Sequence, residues 1–269
     1  VRGSARAVRV IVTRPREQAQ AWVESLRARG VDAVALPLID IAESPDRSAL
    51  DAAWSTLLAA DGPRAVMFVS ANAVRAFWAG APAGATWPGG VLAAAPGPGT
   101  AAALRAAGVP PACLVQPSAD APQFDSEHLW PELARHDWVG RRVLIVRGEA
   151  GRDWLAERWQ AAGAQVEHVA AYRRQPPDWD ADDQARLDAV QLDPASHAWL
   201  FSSAQAIRHL LERAGPGASW TAHTALATHP RIAEAARRAG FGRVVESAAD
   251  VEGVAACLES ADALRHPGP

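Results

Sequence analysis

The chain has no lysine. Each of its 27 basic side chains is an arginine, so a Schiff-base amine, an anchor for pyridoxal phosphate and the lysine of a Walker loop are all excluded. Cysteine is scarce too. Cys113 and Cys257 stand far apart and outside any metal-ligand spacing, and they read as buried spectator thiols. The eight histidines form no H-x-x-x-H pair and no H-E-x-x-H helix, so no metal site is expected. No apolar run approaches the ~20 residues that span a bilayer. The opening VRGSARA lacks the apolar core of a signal peptide, so the expectation is a cytoplasmic protein with no membrane partner. Excess charge is also small. With 27 basic and 30 acidic residues the net charge is −3, which confers no general affinity for nucleic acid. Tyrosine occurs once, at Tyr172.

What is present is a globular composition, 49% hydrophobic and 21% charged, at a length that suits two domains better than one core. The clearest pattern runs from Arg142 to Pro177. Val143–Val146 is a short apolar run suited to a strand buried on both faces. Gly148 and Gly151 punctuate a polar turn, Trp154, Leu155, Arg158 and Trp159 follow at helical spacing, and Gly163 sits where a helix ends. A second strand, Val166–Tyr172, ends on the lone tyrosine. Arg173 and Arg174 then lead to Pro176-Pro177, a pair that continues neither helix nor strand. Tyr172 is therefore expected where the chain leaves one domain for another, and ligands of α/β proteins gather at such carboxyl strand ends.

Arg9–Leu38 repeats the same β-α-β theme: strand Val8–Thr13, helix Gln18–Arg29 with Ala19, Trp22, Val23 and Leu26 on one face, then strand Ala33–Leu38. Ser44-Pro45-Asp46 opens a helix whose apolar positions are Leu50, Ala53, Trp54, Leu57 and Leu58. Strand Ala65–Val69 precedes a helix with Val74, Phe77 and Trp78 facing inward. Strand Val91–Ala95 and an alanine-rich helix ended by Gly108 come next. Cys113–Gln116 reads as a short strand and Asp125–Arg135 as a helix that Pro131 should kink or shorten. Beyond Pro177 the pattern gives a polar helix (Asp180–Gln191), three strands (Ala198–Phe201, Thr224–Ala227, Val244–Glu246) with helices between them, and a final helix at Val251–Leu258. The tail beyond Ala263 is expected to fray. Two phrases recur: VMFVSANAVRAFW resembles AWLFSSAQAIRHLL, and LAAAPGPGTAAALRAAG resembles ALATHPRIAEAARRAG. Alternating strands and helices imply doubly wound parallel sheets with right-handed crossovers, an α/β fold. The middle section already holds five strands, so the first β-α-β unit pairs with the C-terminal set. That makes one discontinuous domain, 1–38 plus 177–269, and one inserted domain, 41–173.

Candidate ligand-binding residues cluster at strand-to-helix turns. Ser70, Asn72, Ser202 and Ser203 occupy two such turns, where taken singly they read as helix N-caps; no G-x-S-x-G elbow supports a serine nucleophile. Gly97-Pro98-Gly99-Thr100-Ala101-Ala102 formally fits G-x-G-x-x-A. Pro98 removes a donor that a dinucleotide loop would use, and the next strand ends in Gln116-Pro117 without a ribose-binding acid. Anion binding by the N–H groups of Gly99 and Thr100 remains open. Arg14, Arg147 and Arg231 each follow a strand, where a side chain can reach a ligand or simply lie in solvent. Tyr172 stands apart through its place before the domain crossing.

In order and spacing these segments resemble the uroporphyrinogen-III synthase family. The resemblance covers Val8 to about Leu258 and rests on V-T-R-P, FVSANAV, GPGTAAAL, LIVRGEAGRDWLAERW, V-x-x-V-x-x-Y, LFSSAQAI and THPRIAEAARRAGF. It implies two flavodoxin-like domains joined by a two-stranded linker. It also implies conversion of hydroxymethylbilane, a linear tetrapyrrole octacarboxylate, into cyclic uroporphyrinogen III with ring D inverted, without a cofactor. The family tyrosine matches Tyr172, which would donate a hydrogen bond to the departing hydroxyl. Some members carry paired threonines where this chain has Arg231-Ile232, leaving Thr228 and the turn's N–H groups to substitute. The substrate carboxylates would be met by helix N-termini at Ser70, Asn72, Gly99, Thr100, Ser202 and Ser203, with Arg14, Arg147 and Arg231 in support. A monomer is expected. The competing reading is a non-catalytic tetrapyrrole-binding or sensing module of the same fold.

Overall fold

The computed structural model describes residues 8–44, 46–149 and 151–260. Pro45 of the expected helix opening, Ala150 of the polar turn, the segment VRGSARA and the tail beyond Ala263 lie outside the described residues. In chain order the elements begin with β1 (Arg9–Val12), α1 (Arg16–Arg27), β2 (Ala33–Ala35), β3 (Asp40–Glu43), α2 (Ser48–Leu58), β4 (Ala65–Phe68) and α3 (Ala71–Ala79). Next come β5 (Leu92–Ala94), α4 (Pro98–Ala106), β6 (Leu114–Val115), α5 (Ser126–Leu133), β7 (Arg142–Gly148), α6 (Trp154–Ala161) and β8 (Gln165–Gln175). The last are α7 (Ala181–Leu192), β9 (His197–Phe201), α8 (Ala204–Ala214), β10 (Thr224–Ala227), α9 (Pro230–Arg238), β11 (Arg243–Glu246) and α10 (Val251–Glu259).

The chain divides into two compact units, one running through Asp40 and resuming at Gln175, the other Ile41–Arg174. A five-stranded parallel sheet in the first has the order β2-β1-β9-β10-β11. Numbered within the unit, that is 2-1-3-4-5, the flavodoxin-like doubly wound order. The sheet of the second unit runs β3-β8-β7-β4-β5-β6, parallel from β8 to β6. Counted from β7, it has the same order: β7-α6-β8 stands where β1-α1-β2 stands, and β4, β5 and β6 stand where β9, β10 and β11 do. The repeated phrases are thus the equivalent pairs β4-α3 and β9-α8, and β5-α4 and β10-α9. Each sheet combines a β-α-β unit from one half of the chain with a three-strand set from the other.

The pleat explains the apolar runs. In β4, Val66 and Phe68 pack toward α2, α3 and α4 through Trp54, Leu57, Val74, Phe77 and Leu104. Ala65 and Met67 pack on the opposite face with Leu129, Leu133, Leu155 and Trp159 of α5 and α6. A strand covered on both faces has no polar side to alternate with. Trp54 stacks on Phe77 at 4.5 Å between centroids and donates its indole N–H to the Phe77 carbonyl at 2.8 Å, satisfying its one polar atom. In the first unit Val10 and Val12 meet Ala19, Val23 and Leu26 of α1 and Val254 of α10. Trp199, Phe201, Trp220 and Phe241 form a second aromatic group there.

Several details differ from the sequence reading. β3 is an addition to it, because Asp40–Glu43 is a half-buried edge strand without an apolar alternation. The helix after Ser44 starts only at Ser48, whose N–H donates to Asp46 Oδ1 at 2.9 Å. Trp78 is half-buried rather than fully inward, stacked on Trp87 at 5.6 Å. Cys113 lies in a short 3-10 turn ahead of β6, and Cys257 on α10 is only half-buried. α5 retains Pro131 and stops at Leu133. Tyr172 does not end its strand, for β8 continues to Gln175. The chain passes between units within β3 and β8, which are neighbours in one sheet; Gln175 Nε2 donates to Asp40 Oδ2 across these crossings at 3.2 Å.

Candidate active site

Parallel strands deliver their carboxyl ends to one edge of a sheet. In the second unit that edge gathers Ser70 after β4, Gly99 and Thr100 after β5, Arg147 at the end of β7, and Tyr172 on β8. Tyr172 is 1% exposed, and its hydroxyl has two protein partners. Ser70 Oγ lies 3.1 Å away, and Arg174 donates a guanidinium N–H to the phenol oxygen at 3.2 Å. Arg174 also lies over the Tyr172 ring, its guanidinium carbon 5.7 Å from the centroid. Ser70 is the N-cap of α3 and accepts the Ala73 N–H at 3.2 Å, so the hydroxyl is tied to a helix N-terminus as well as to the phenol.

A glycine makes room for this ring. A Cβ at Gly148 would sit 3.2 Å from Tyr172 Cε2 and 3.3 Å from Cζ, tighter than side chains normally tolerate. The β7–β8 register shifts between Arg147 and Gly148, and such bulges re-aim side chains at strand ends. Glu149 N–H donates to the Tyr172 carbonyl at 3.1 Å, fixing the backbone beyond the bulge.

Beside Tyr172 lies a pocket of about 240 Å³, with Asn72, Arg75, Arg47 and Ser44 in its wall. Arg75 donates to Asn72 Oδ1, and Arg47 faces Glu43 at 3.6 Å. Arg147 is engaged differently from the expectation of a ligand-facing cation. Its side chain is 13% exposed, paired with Asp153, and it donates to the Gly151 carbonyl at 3.3 Å. That pairing holds the Asp153 carboxyl below the usual carboxylate range. Burial, with Arg147 nearby, holds the His168 imidazole below its usual value. Gly99 and Thr100 lie in the first turn of α4, which has no side-chain cap, so this helix start is suited to an anion.

The first unit carries the other expected residues at the equivalent edge. Arg14 follows β1 and stacks over Trp22 at 4.2 Å. Its Nε is buried with no protein acceptor, and burial pulls the guanidinium down to about 10. A buried guanidinium N–H without an acceptor is a natural receptor for a carboxylate. Ser203 caps α8, accepting the Gln205 N–H at 3.2 Å, and Ser202 is half-buried beside it. Thr228 is turned back, with both N–H and Oγ1 directed to the Phe201 carbonyl. His229 caps α9 by accepting the backbone N–H of the exposed Arg231 at 3.1 Å. Among the described residues no group of three or more His, Cys, Asp or Glu side chains is arranged to hold a metal, and no helix is long and apolar enough to cross a membrane.

The chain has known relatives. The family model described as "Uroporphyrinogen-III synthase HemD" matches residues 20–256. The chain belongs to the uroporphyrinogen-III synthase family. A curated uroporphyrinogen-III synthase from Salmonella typhimurium is 29% identical over 181 residues, covering 65% of this chain and 69% of that protein. The crystal structure of the Helicobacter pylori uroporphyrinogen-III synthetase matches with a TM-score of 0.56 at 16% identity, over 96% of this chain and all of that one. A mutant uroporphyrinogen III synthase from the extremely thermophilic bacterium Thermus thermophilus matches with a TM-score of 0.55 at 20% identity, over 94% and 97% of the two chains. At those identities the two structures speak for the shared two-domain α/β fold. Three residues near Tyr172 are not among the candidate site residues of the sequence reading. Arg174 shares a face of β8 with Tyr172 by the period of two, a signal hidden when the strand is ended at Tyr172. Arg75 stands one helical turn from Asn72. Arg47 lies on a turn that carries no pattern.

Proposed function

We propose that this chain cyclises hydroxymethylbilane to uroporphyrinogen III, with loss of water and inversion of ring D, and that Tyr172 is the proton donor. The observation that carries the reading is the phenol at the carboxyl edge of the second sheet, tied to Ser70 and Arg174 beside the pocket walled by Asn72 and Arg75. Departure of the ring A hydroxyl needs one proton. The pyrrole nitrogen pushes out the leaving group, and the azafulvenium left behind is an electrophile. Ring D attacks it through its substituted α-carbon, giving a spiro intermediate that fragments and recloses. The last ring carbon then releases a proton, so the balance is loss of one water. Most of the work is positioning two chain ends at roughly 3–3.5 Å in a single orientation.

Pockets for whole drug-sized ligands run from about 300 to 1,000 Å³. A volume of about 240 Å³ suits one pyrrole ring with its carboxylate side chains rather than the whole tetrapyrrole. Arg14, the α4 start at Gly99 and Thr100, and the turns at Ser202, Ser203, Thr228 and Arg231 supply further carboxylate contacts in this proposal. Arg147 would contribute only by exchanging Asp153 for substrate. The enzyme is proposed to act as a cytoplasmic monomer without metal or nucleotide.

The test is to feed freshly generated hydroxymethylbilane to the purified protein and separate the product isomers. Spontaneous closure gives type I, so rapid accumulation of type III supports the proposal. Type I alone, at the spontaneous rate, would favour a non-catalytic binder. Tyr172→Phe should slow type III formation by roughly 10- to 100-fold, the lower part of what a general acid supplies, because the leaving group is already good. Product identity should stay type III; a change to type I would make Tyr172 a positioning group instead.

A further inference from the structure

We infer that Arg174 is a positioning residue for this reaction, holding the Tyr172 phenol so that its proton is aimed at substrate. The inference rests on the proposed donor role of Tyr172 and names a residue that acts through it. A guanidinium has donors only, so in the 3.2 Å contact Arg174 must donate and the phenol oxygen must accept. Tyr172 is fully buried, and the partner that supplies this N–H sits two residues on along the same face of β8. The contact is therefore built into the strand, and it forms only because β8 continues past Tyr172.

The second partner completes the geometry. Ser70 Oγ already accepts the Ala73 N–H at 3.2 Å, so its own O–H is available to donate to the phenol oxygen 3.1 Å away. Two donors then converge on one oxygen. Both lone pairs of the phenol are engaged, and its O–H is the one bond left to point outward. With the roles reversed, the phenol proton would be spent on Ser70 and could not reach a leaving group. Arg174 favours the transfer itself, because a cation beside the phenol oxygen stabilises the negative charge that oxygen gains as its proton leaves.

The step balances. The Tyr172 O–H bond breaks as its proton passes to the hydroxymethyl oxygen, the carbon–oxygen bond breaks with its electron pair leaving on water, and the pyrrole nitrogen lone pair compensates the carbon. The phenolate oxygen left behind keeps the Arg174 and Ser70 donors. It takes back a proton from the ring carbon that loses one after closure.

The experiment is a double-mutant cycle on type III formation, with Arg174→Gln, Arg174→Lys, Tyr172→Phe and the Arg174→Gln/Tyr172→Phe pair, each checked for a wild-type thermal melt. Arg174→Gln should lower kcat by roughly tenfold, the scale of one charge-assisted hydrogen bond, with KM within about twofold. Arg174→Lys should recover most of that loss. In the Tyr172→Phe background the glutamine change should cost nothing further, because the oxygen it acts on is gone. An equal loss in both backgrounds, or a rise in KM at unchanged kcat, would overturn the inference and make Arg174 a substrate contact. A Tyr172→Phe enzyme running at the wild-type rate would remove the donor role and this inference while leaving the activity in place. Wild-type protein that forms no type III product would defeat the proposed function itself.

Discussion

At the candidate site a glycine packs against a tyrosine ring. Replacing Gly148 with Ala puts a methyl group 3.2 Å from the Tyr172 ring, so the ring must shift by a few tenths of an ångström or the bulge must open. Overpacking of this kind costs about 1–3 kcal/mol. Type III formation should fall in Gly148→Ala more than the loss of stability explains, since the Ser70 and Arg174 contacts depend on where the ring lies. Parallel measurements of rate and urea midpoint check this, and an unchanged rate would show that the ring position is not critical. A second residue-scale expectation concerns His223, which is 2% exposed and accepts the Trp199 indole N–H at 3.4 Å. Burial first, then neighbouring His197, holds its imidazole below the ordinary value of 6.5. The unfolded chain therefore binds the proton more readily, and His223 makes stability fall as pH drops below about 6.5. Urea midpoints at pH 7.5 and 5.5 should diverge more in the wild type than in His223→Asn. Equal slopes would exclude His223 as a source of acid sensitivity.

Among elements, the junction of α1 and α7 depends on one carboxylate. Asp183 is buried, and it accepts from Arg16 at 2.9 Å and from Arg186 at 2.9 Å. Both arginines reach solvent, so the pair is screened on one side, whereas the carboxylate oxygens are not. Asp183→Ala removes both hydrogen bonds and should cost about 1–3 kcal/mol, read as a lower denaturant midpoint with an unchanged slope. A change below about 0.5 kcal/mol would place the junction's stability in the apolar contacts of Leu187 and Val190 instead. The helix starts show the same local logic: Ser70, Asp125, Asp180, Ser203 and Asp250 each accept a backbone N–H from the first turn. Their residue types announce this role without any tertiary information. α4, like α1, α2 and α6, has no such cap, which leaves its first N–H groups for an anion.

At the scale of the whole molecule, the two units differ in how the chain builds them. Ile41–Arg174 is continuous and carries its own apolar clusters on both faces of its sheet. It should fold when expressed alone, with a cooperative melt and protected amides in β4 and β7; a chain lacking a melting transition would show that it needs the rest of the protein. Alternating apolar and helical periods, the Gly and Pro punctuation and the recurring phrases are enough to read two α/β sheets and most of their strands, because those features are local. The β4-α3 and β9-α8 likeness is legible for the same reason. β3 is not, since a half-buried edge strand needs its neighbour to exist. At the candidate site, Tyr172 stands out as the only tyrosine on a strand leading to a proline pair. Its partners do not, because Ser70 lies 102 residues away in sequence and Arg174 counts only once β8 is seen to run on. The sequence by itself determined which residues cap, turn and fill the core, all set by chemistry within a few positions. Only the tertiary structure decided that Arg147 turns to Asp153, that Arg14 Nε is buried without a protein acceptor and that Ser70 and Arg174 meet at one phenol oxygen, because the fold brings those groups together.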